Sequence, residues 1–559
     1  MSVGQGGEFR FVIVGAGSAG CLLARLLAER QSEPVAVIEA GAARQDVRST
    51  VPNFYPRTFG SALDWNLATV PQAGLAQRRI AWPRGKTVGG SGAINALIYM
   101  QAAAADFAHW GWSHEMASPA LSSDSLSSDA QSNRVRPPLN SASSNSVPLN
   151  IAPLASPHPW TAGFLQAAQA SGLQRIDNWT QSTADSCGYY QLAQRQGRRC
   201  HTGQLLQPAA NQPPISNLKL ITAATVQRIV LRGQRAVAVE LLDAHGQLQS
   251  IAASGEIIIC AGTIGSPAIL LASGIGPAGD LLAEQLSCQH ALPAVGKNLQ
   301  DHLVFPLIYS TLDSQGLPRR HSTASRQRYR SHADGPLASN IAEAGALFQP
   351  DNLPPAHSTG AEGNTPRRPE FQLHFTPTHY LKYPRLDSGD HFFSVGITDL
   401  HPRSQGQVRL VRPTSTSESA TGPLAQWQTL IDPQYLTESV DRQRMLQAIA
   451  CTRQLCQHSG LRELIQQEAL PGAKRSDDAS LLKSLQTFAQ SIYHPVGTCR
   501  MDSGLAEGCQ ETVVDRDFRV HGLAGLRVVD ASVLPSLPSC NTNAITLWLA
   551  QQALEKLCG

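Results

Sequence analysis

The chain has 559 residues, 42% of them hydrophobic and 16% charged, with a formal net charge of +3. At roughly 100–200 residues per domain this is two or more globular domains with ample core, not a disordered chain. The net charge is too small to suggest nucleic acid or an anionic membrane as partner, and no apolar run reaches the ~18 residues that a transmembrane helix needs.

Eleven cysteines are scattered along the chain with no Cys-x-x-Cys pair, and Cys451 and Cys456 are spaced for neither a redox pair nor a zinc knuckle. Reduced thiols in a cytoplasmic protein are expected. Met1 to Arg10 are polar and glycine-rich, without the basic-then-apolar layout of a secretory signal.

In chain order, the apolar run Phe11-Val12-Ile13-Val14 reads as a strand and Cys21 to Leu27 as a helix. Between them lies Gly15-Ala16-Gly17-Ser18-Ala19-Gly20. Placed strand–turn–helix, this is a dinucleotide-binding arrangement. Gly15 permits the tight turn, Gly17 lets backbone approach a pyrophosphate, and Gly20 lets helix pack on strand. The helix start offers free N–H groups and a positive dipole end to phosphates. A second run, Val35 to Ile38, ends in Glu39, placed to bind a ribose hydroxyl.

Residues 51–82 read as loop and short strands rich in aromatics, and Arg84 to Tyr99 as a second glycine loop. Dense backbone N–H without side-chain bulk suits a pyrophosphate or a flat ring. Residues 117–148 are serine-rich and read as a mobile surface segment. Helical spacing runs from Trp160 to Ser171. Strand alternation runs through 218–259, with a hairpin turn at Asp243 to Gly246. These strands imply an insertion in a doubly wound sheet. After Ile257 to Cys260, the stretch Gly262 to Pro277 repeats the strand–turn–helix pattern, with Pro267 placed in a first helical turn and Gly274 at a C-terminal cap. Short strands are expected in 306–425, with loops at 362–368 and 413–422. Residues 438–469 read as helical, and the chain ends in a helix from Ala544 to Leu557. His521 reads as structural. His374 and His379 are candidates to line a pocket, and no further ligands support a metal there.

Four more segments decide the comparison: Gly296-Lys297-Asn298-Leu299-Gln300-Asp301-His302, His494 to Met501, Gly525 to Ser532, and Ser539-Cys540-Asn541-Thr542-Asn543-Ala544. With the two glycine signatures at 85–108 and 262–276, they make residues 9 to 557 resemble the glucose–methanol–choline (GMC) oxidoreductases, a family of FAD-dependent alcohol-oxidising enzymes. The resemblance implies an α/β fold: a doubly wound, Rossmann-like FAD-binding domain with an α+β substrate-binding domain on an antiparallel sheet. The implied division is 8–305 for FAD binding, with part of the substrate cap at 149–215, then 306–489 for substrate, and 490–559 returning with the catalytic pair.

The resemblance implies oxidation of a primary alcohol to an aldehyde, with the proton taken by a base and the hydride passed to flavin N5. The choline dehydrogenase-like and aryl or aliphatic alcohol dehydrogenase/oxidase branch is the nearest. His494 stands at the family's base position and Asn541 at the alcohol-orienting position. For FAD, the resemblance carries over Gly15, Gly17, Ser18, Glu39, Arg84, Val88, Gly90, Ser91, Asn95, Leu97, Ile98, Val226, Ala261, Asp530, Ala531 and Asn543. Relatives with covalent flavin use a histidine just before the loop asparagine. Ile94 stands there, so the FAD is expected to be noncovalent. Around Gln101-Ala102, 117–148 and 198–208 the chain departs from the family pattern, which implies an intact flavin half and a divergent substrate half. The other readings of the same fold are a hydroxynitrile lyase, a fatty acid photodecarboxylase, or a flavoprotein kept for binding. The sequence assigns no electron acceptor among oxygen, a quinone and other carriers.

Overall fold

The computed structural model describes residues 8–43, 46–112, 149–179, 182–207, 215–318, 320–350, 368–379, 391–413, 424, 426–503 and 511–558. The serine-rich 117–148 and most of the loops expected at 362–368 and 413–422 lie outside the described residues.

One sheet is parallel at its centre, in the order Leu218–Ile221, Val35–Ile38, Phe9–Val14, Leu248–Ile259, with Leu526–Val528 on the far side of the last strand. Phe9–Val14 and Val35–Ile38 are almost wholly buried, as apolar runs covered on both faces must be. Leu248–Ile259 serves two functions in the fold. Its second half lies in the parallel sheet, while its first half pairs antiparallel with Arg235–Leu242, which pairs in turn with Thr225–Arg232. This ribbon is the insertion expected from the alternation. Helix Ser18–Arg30 packs on the C-terminal helix Thr542–Cys558, so the two ends of the chain share one core.

A second sheet runs Ile465–Leu470, Leu303–Thr311, Phe392–Asp399, Phe371–Thr376, Ala344–Phe348, Ser186–Tyr189 and Gln174–Arg175, antiparallel except for the last pair. Gln490–Ser491 also pairs with Leu303–Thr311. All nine residues of that strand are buried, because helices Pro159–Ala170 and Ser439–Leu455 cover the same sheet. Among the described residues no helix is long and apolar enough to cross a membrane.

Two local expectations are corrected. The helix expected over 438–469 ends at Leu455, and Ile465–Leu470 is a strand. Between them Gly460 has φ +96°, and a Cβ there would lie 2.6 Å from the Gly163 carbonyl oxygen, so the chain turns where a helix would continue. Leu461, at helical spacing, packs instead into the core under the sheet. Pro267 is not in the first turn, since the helix already begins at Gly262. As an interior proline it leaves the Thr263 carbonyl without its helical donor. The Thr498 hydroxyl fills that place at 2.6 Å. Gly274, at φ +75°, follows the C-cap Ser273 as expected.

Candidate active site

Three helices begin at one cavity of about 310 Å³, and Ser18, Gly262 and Thr542 at their starts all line it. None of the three carries an acidic residue in its first turn, and the first two have no capping side chain. The leading N–H groups and positive dipole ends at Ser18 and Thr542 are therefore available to an anion, whereas the Asp530 carboxylate already occupies the start at Gly262.

The glycines around these starts have separate reasons. Gly15 has φ +102°, and a Cβ there would meet Cys260 O at 2.5 Å. A Cβ at Gly20 would lie 1.9 Å from Gly15 O, so helix and turn touch. The second loop lies on the first: a Cβ at Gly90 would stand 2.7 Å from the Gly17 Cα, and one at Gly92 would stand 2.7 Å from Ser18 Oγ. Ser18 Oγ donates to Asn543 Oδ1 at 2.9 Å, tying first helix to last.

Glu39 ends its strand on the cavity wall, its carboxylate accepting from Ala16 N at 2.9 Å and Gly41 N at 2.8 Å. Burial pushes that carboxyl up to about 7. Val226 and Ala261 line the same region. Asp530 accepts from Gly262 N at 2.9 Å, Ser266 Oγ at 2.5 Å and Ser532 N at 2.8 Å, which joins the Asp530–Ala531 turn to a helix start. Further along the wall stand Ser91, Asn95, Ile98 and Arg84, whose guanidinium donates to Tyr493 O at 2.7 Å. Val88 and Leu97 do not reach the wall. Val88 is buried in the core shared by the chain ends, and Leu97 is buried in a separate cluster with Tyr190 and Leu192. The segment 198–206 is also reassigned. It backs the second glycine loop rather than the substrate side, for a Cβ at Gly203 would meet Val88 O at 2.6 Å and one at Gly89 would meet His201 Nδ1 at 2.3 Å.

At the other end of the cavity His494 and Asn541 meet, with Asn541 Nδ2 3.1 Å from His494 Nε2. Behind them is His302, 0% exposed, a residue inside the quoted Gly296–His302 motif to which the sequence attached no role. Its Nε2 lies 3.1 Å from Leu400 O and its Nδ1 3.0 Å from His494 Nδ1. A carbonyl can only accept, so Nε2 of His302 carries the hydrogen and its Nδ1 accepts. His494 must then donate from Nδ1, which leaves the lone pair on Nε2, toward Asn541. Gln372 Nε2 donates to Asn541 Oδ1 at 3.5 Å and so orients the amide. Asp301 receives His494 N at 2.8 Å and Ser491 Oγ at 2.5 Å, and also accepts from Tyr435 Oη, which fixes the backbone at His494. Burial, then the neighbouring His302, His374 and Arg84, hold His494 well below the usual imidazole range, so it is neutral near pH 7.

His374 also lines the cavity, whereas His379 does not. Tyr190 Oη is 2.8 Å from His374 Nδ1 and farther, at 3.3 Å, from Leu373 O. With the tyrosine donating to Nδ1, the hydrogen sits on Nε2, which is buried without a protein partner. His521 lies away from the cavity, 3.0 Å from Thr512 Oγ1. Among the described residues no cluster of His, Cys, Asp and Glu could hold a metal ion.

This wall fits FAD. The uncapped helix start at Ser18 and the glycine cradle suit a pyrophosphate, and Glu39 suits a ribose. The comparisons agree. Two family models described as GMC oxidoreductase match residues 9–304 and 402–550. An alcohol dehydrogenase [acceptor] of Pseudomonas putida is 30% identical over 98% of this chain and 95% of its own length. The mitochondrial choline dehydrogenase of Mus musculus is 28% identical over 100% of this chain and 90% of its own. Among solved structures, pyridoxine 4-oxidase from Mesorbium loti superposes with a TM-score of 0.80 at 28% identity, covering 98% of this chain and 99% of that one. The chain belongs to the GMC oxidoreductase family, whose members use FAD to oxidise CH–OH groups.

Proposed function

We propose that this enzyme oxidises a primary alcohol to an aldehyde, with His494 as the base and Asn541 orienting the alcohol. The tautomer of His494 carries the reading. Its Nε2 lone pair is held on the cavity wall by the Leu400–His302–His494 hydrogen-bond series. A substrate hydroxyl placed between Nε2 and the Asn541 amide gives its proton to the imidazole and its oxygen lone pair to the N–H. Bound in this cavity, FAD supplies the two-electron acceptor for the hydride that leaves the carbon. The names of the relatives support an alcohol or choline-type substrate. Ile94, on the wall, has no atom that could bond to a flavin, so the cofactor is held noncovalently. The deciding experiment is anaerobic mixing of the holoenzyme with choline, aryl and aliphatic alcohols. One class is expected to bleach the flavin band, and no bleaching by any of them would overturn the reading.

The pH dependence has a definite sign. Protonation removes the lone pair, so activity falls as pH drops through the pKa of the base. Because that pKa lies below the ordinary 6.5, kcat/KM is expected to stay level from pH 8 down to that value and fall only beneath it. An acid limb centred above pH 7 would contradict the assignment.

His374, whose Nε2 is buried without a protein partner among the described residues, is a hydrogen-bond donor for a substrate that reaches it. Replacing it with phenylalanine is expected to raise KM about tenfold, the worth of one hydrogen bond, with little change in kcat. Steady-state kinetics on the alcohol found above measures this, and an unchanged KM would place the N–H out of the substrate's reach.

A further inference from the structure

Arg199 is a cation in the core with no carboxylate beside it among the described residues. The residue is 2% exposed. Its Nη1 donates to Asn95 Oδ1 at 3.0 Å, while Nε and Nη2 are buried with no acceptor among the described residues. The titratable groups acting on it are Tyr55, Tyr329 and Cys200, all neutral near pH 7. Other arginines within the fold are compensated: the buried Arg444 meets Asp399 and Glu370, the half-buried Arg368 meets Asp106, and the half-buried Arg84 faces Asp301 and Asp64. An unpaired buried charge is costly enough that its retention needs a reason.

Its position gives one. Asn95 and Tyr55 both line the cavity, so Arg199 stands one residue behind the wall. Tyr55 leads to the reacting end, packing on Phe59 at 6.0 Å, which packs on Tyr493 at 5.4 Å, the residue before His494. When a substrate C–H bond breaks and both electrons pass to FAD, the hydroxyl proton goes to His494 and the cofactor gains one negative charge. We propose that Arg199, acting through the low-polarity wall at Asn95, stabilises the negative charge that reduction places on FAD and so raises its reduction potential. Burial lowers the guanidinium to about 9, which leaves it cationic at neutral pH.

A structural brace is the competing role, because Asn95 Oδ1 also accepts from Leu97 N at 3.0 Å and Leu97 sits at φ +66°. Arg199→Gln keeps a donor for Asn95 and removes the charge, and Arg199→Met removes both. The test is the midpoint potential of each FAD-loaded protein, measured against a reference dye without any substrate. Both variants are expected to lower the two-electron equilibrium constant for reduction at least tenfold, about 30 mV. A brace leaves the glutamine variant at the wild-type potential, and that result overturns the proposal. Should neither variant retain FAD, the wild-type protein decides. Between pH 6 and 8 its potential should track one proton per two electrons, because the cation keeps reduced FAD anionic. Two protons per two electrons would overturn the proposal.

Discussion

Replacing His494 with alanine is expected to slow flavin reduction by alcohol at least 100-fold, about 2.7 kcal/mol of barrier, while FAD remains bound. The cofactor should stay because the helix starts and glycine loops that suit it lie elsewhere along the cavity. The effect should be large because the site offers no substitute base. His302 keeps its Nε2 on Leu400 O, and burial lowers its imidazole to about 4, so the Nδ1 that the substitution frees is a poor base. His374 is held well below the usual imidazole range, at about 3, chiefly by burial, with its Nδ1 on Tyr190 Oη and its Nε2 buried. Asn541 is an amide and takes no proton. The measurement is the anaerobic rate of flavin bleaching in mutant and wild type at equal FAD content. A mutant within about threefold of wild type would mean that proton removal contributes little to the barrier, and would remove His494 from the mechanism.

What the sequence disclosed and what it concealed divide along one physical line. Glycine turns are local. Gly15, Gly20 and Gly90 are dictated by φ or by contact between short neighbouring segments, and the strand–turn–helix order around them can be read from a few dozen residues. Glu39 was legible for the same reason, being the residue just after a short apolar strand. Convergence is not local. Ser18 meets Asn543 across 525 positions, His302 meets His494 across 192, and Arg199 meets Asn95 across 104. Only the completed sheets bring these together. His302 could have been singled out, since it ends a motif already noticed. Arg199 could not, because an arginine beside Arg198 reads as a solvated pair until burial is known. Val88 and Leu97 show that position in a loop does not say where a side chain points. They belong to the right loop by position, but an apolar side chain inside a glycine-rich segment turns toward whichever core is near, and here both cores lie behind the wall.

Gly17 and Gly20 are three residues apart in one motif, yet their alanine variants are expected to fail in different ways. A Cβ at Gly20 would lie 1.9 Å from a backbone oxygen that the parallel sheet and the turn both hold in place. Overpacking of that kind costs about 3 kcal/mol, and Gly20→Ala should melt at lower temperature with or without FAD. Gly17 has an ordinary φ of −80°, and a Cβ there would meet only Cys260 O, at 3.9 Å. Nothing within the protein demands a glycine at that position. The apoprotein of Gly17→Ala should therefore melt as the wild type does, or slightly higher, because alanine restricts the unfolded chain. Its FAD dissociation constant should rise at least tenfold, about 1.4 kcal/mol, because the added methyl occupies the space where backbone must approach the pyrophosphate. Thermal melts of both apoproteins and a fluorescence titration with FAD separate the two failures. Wild-type FAD affinity in Gly17→Ala would show that the pyrophosphate does not pack on this turn, and the free N–H groups at the start of Ser18–Arg30 would then need another anion.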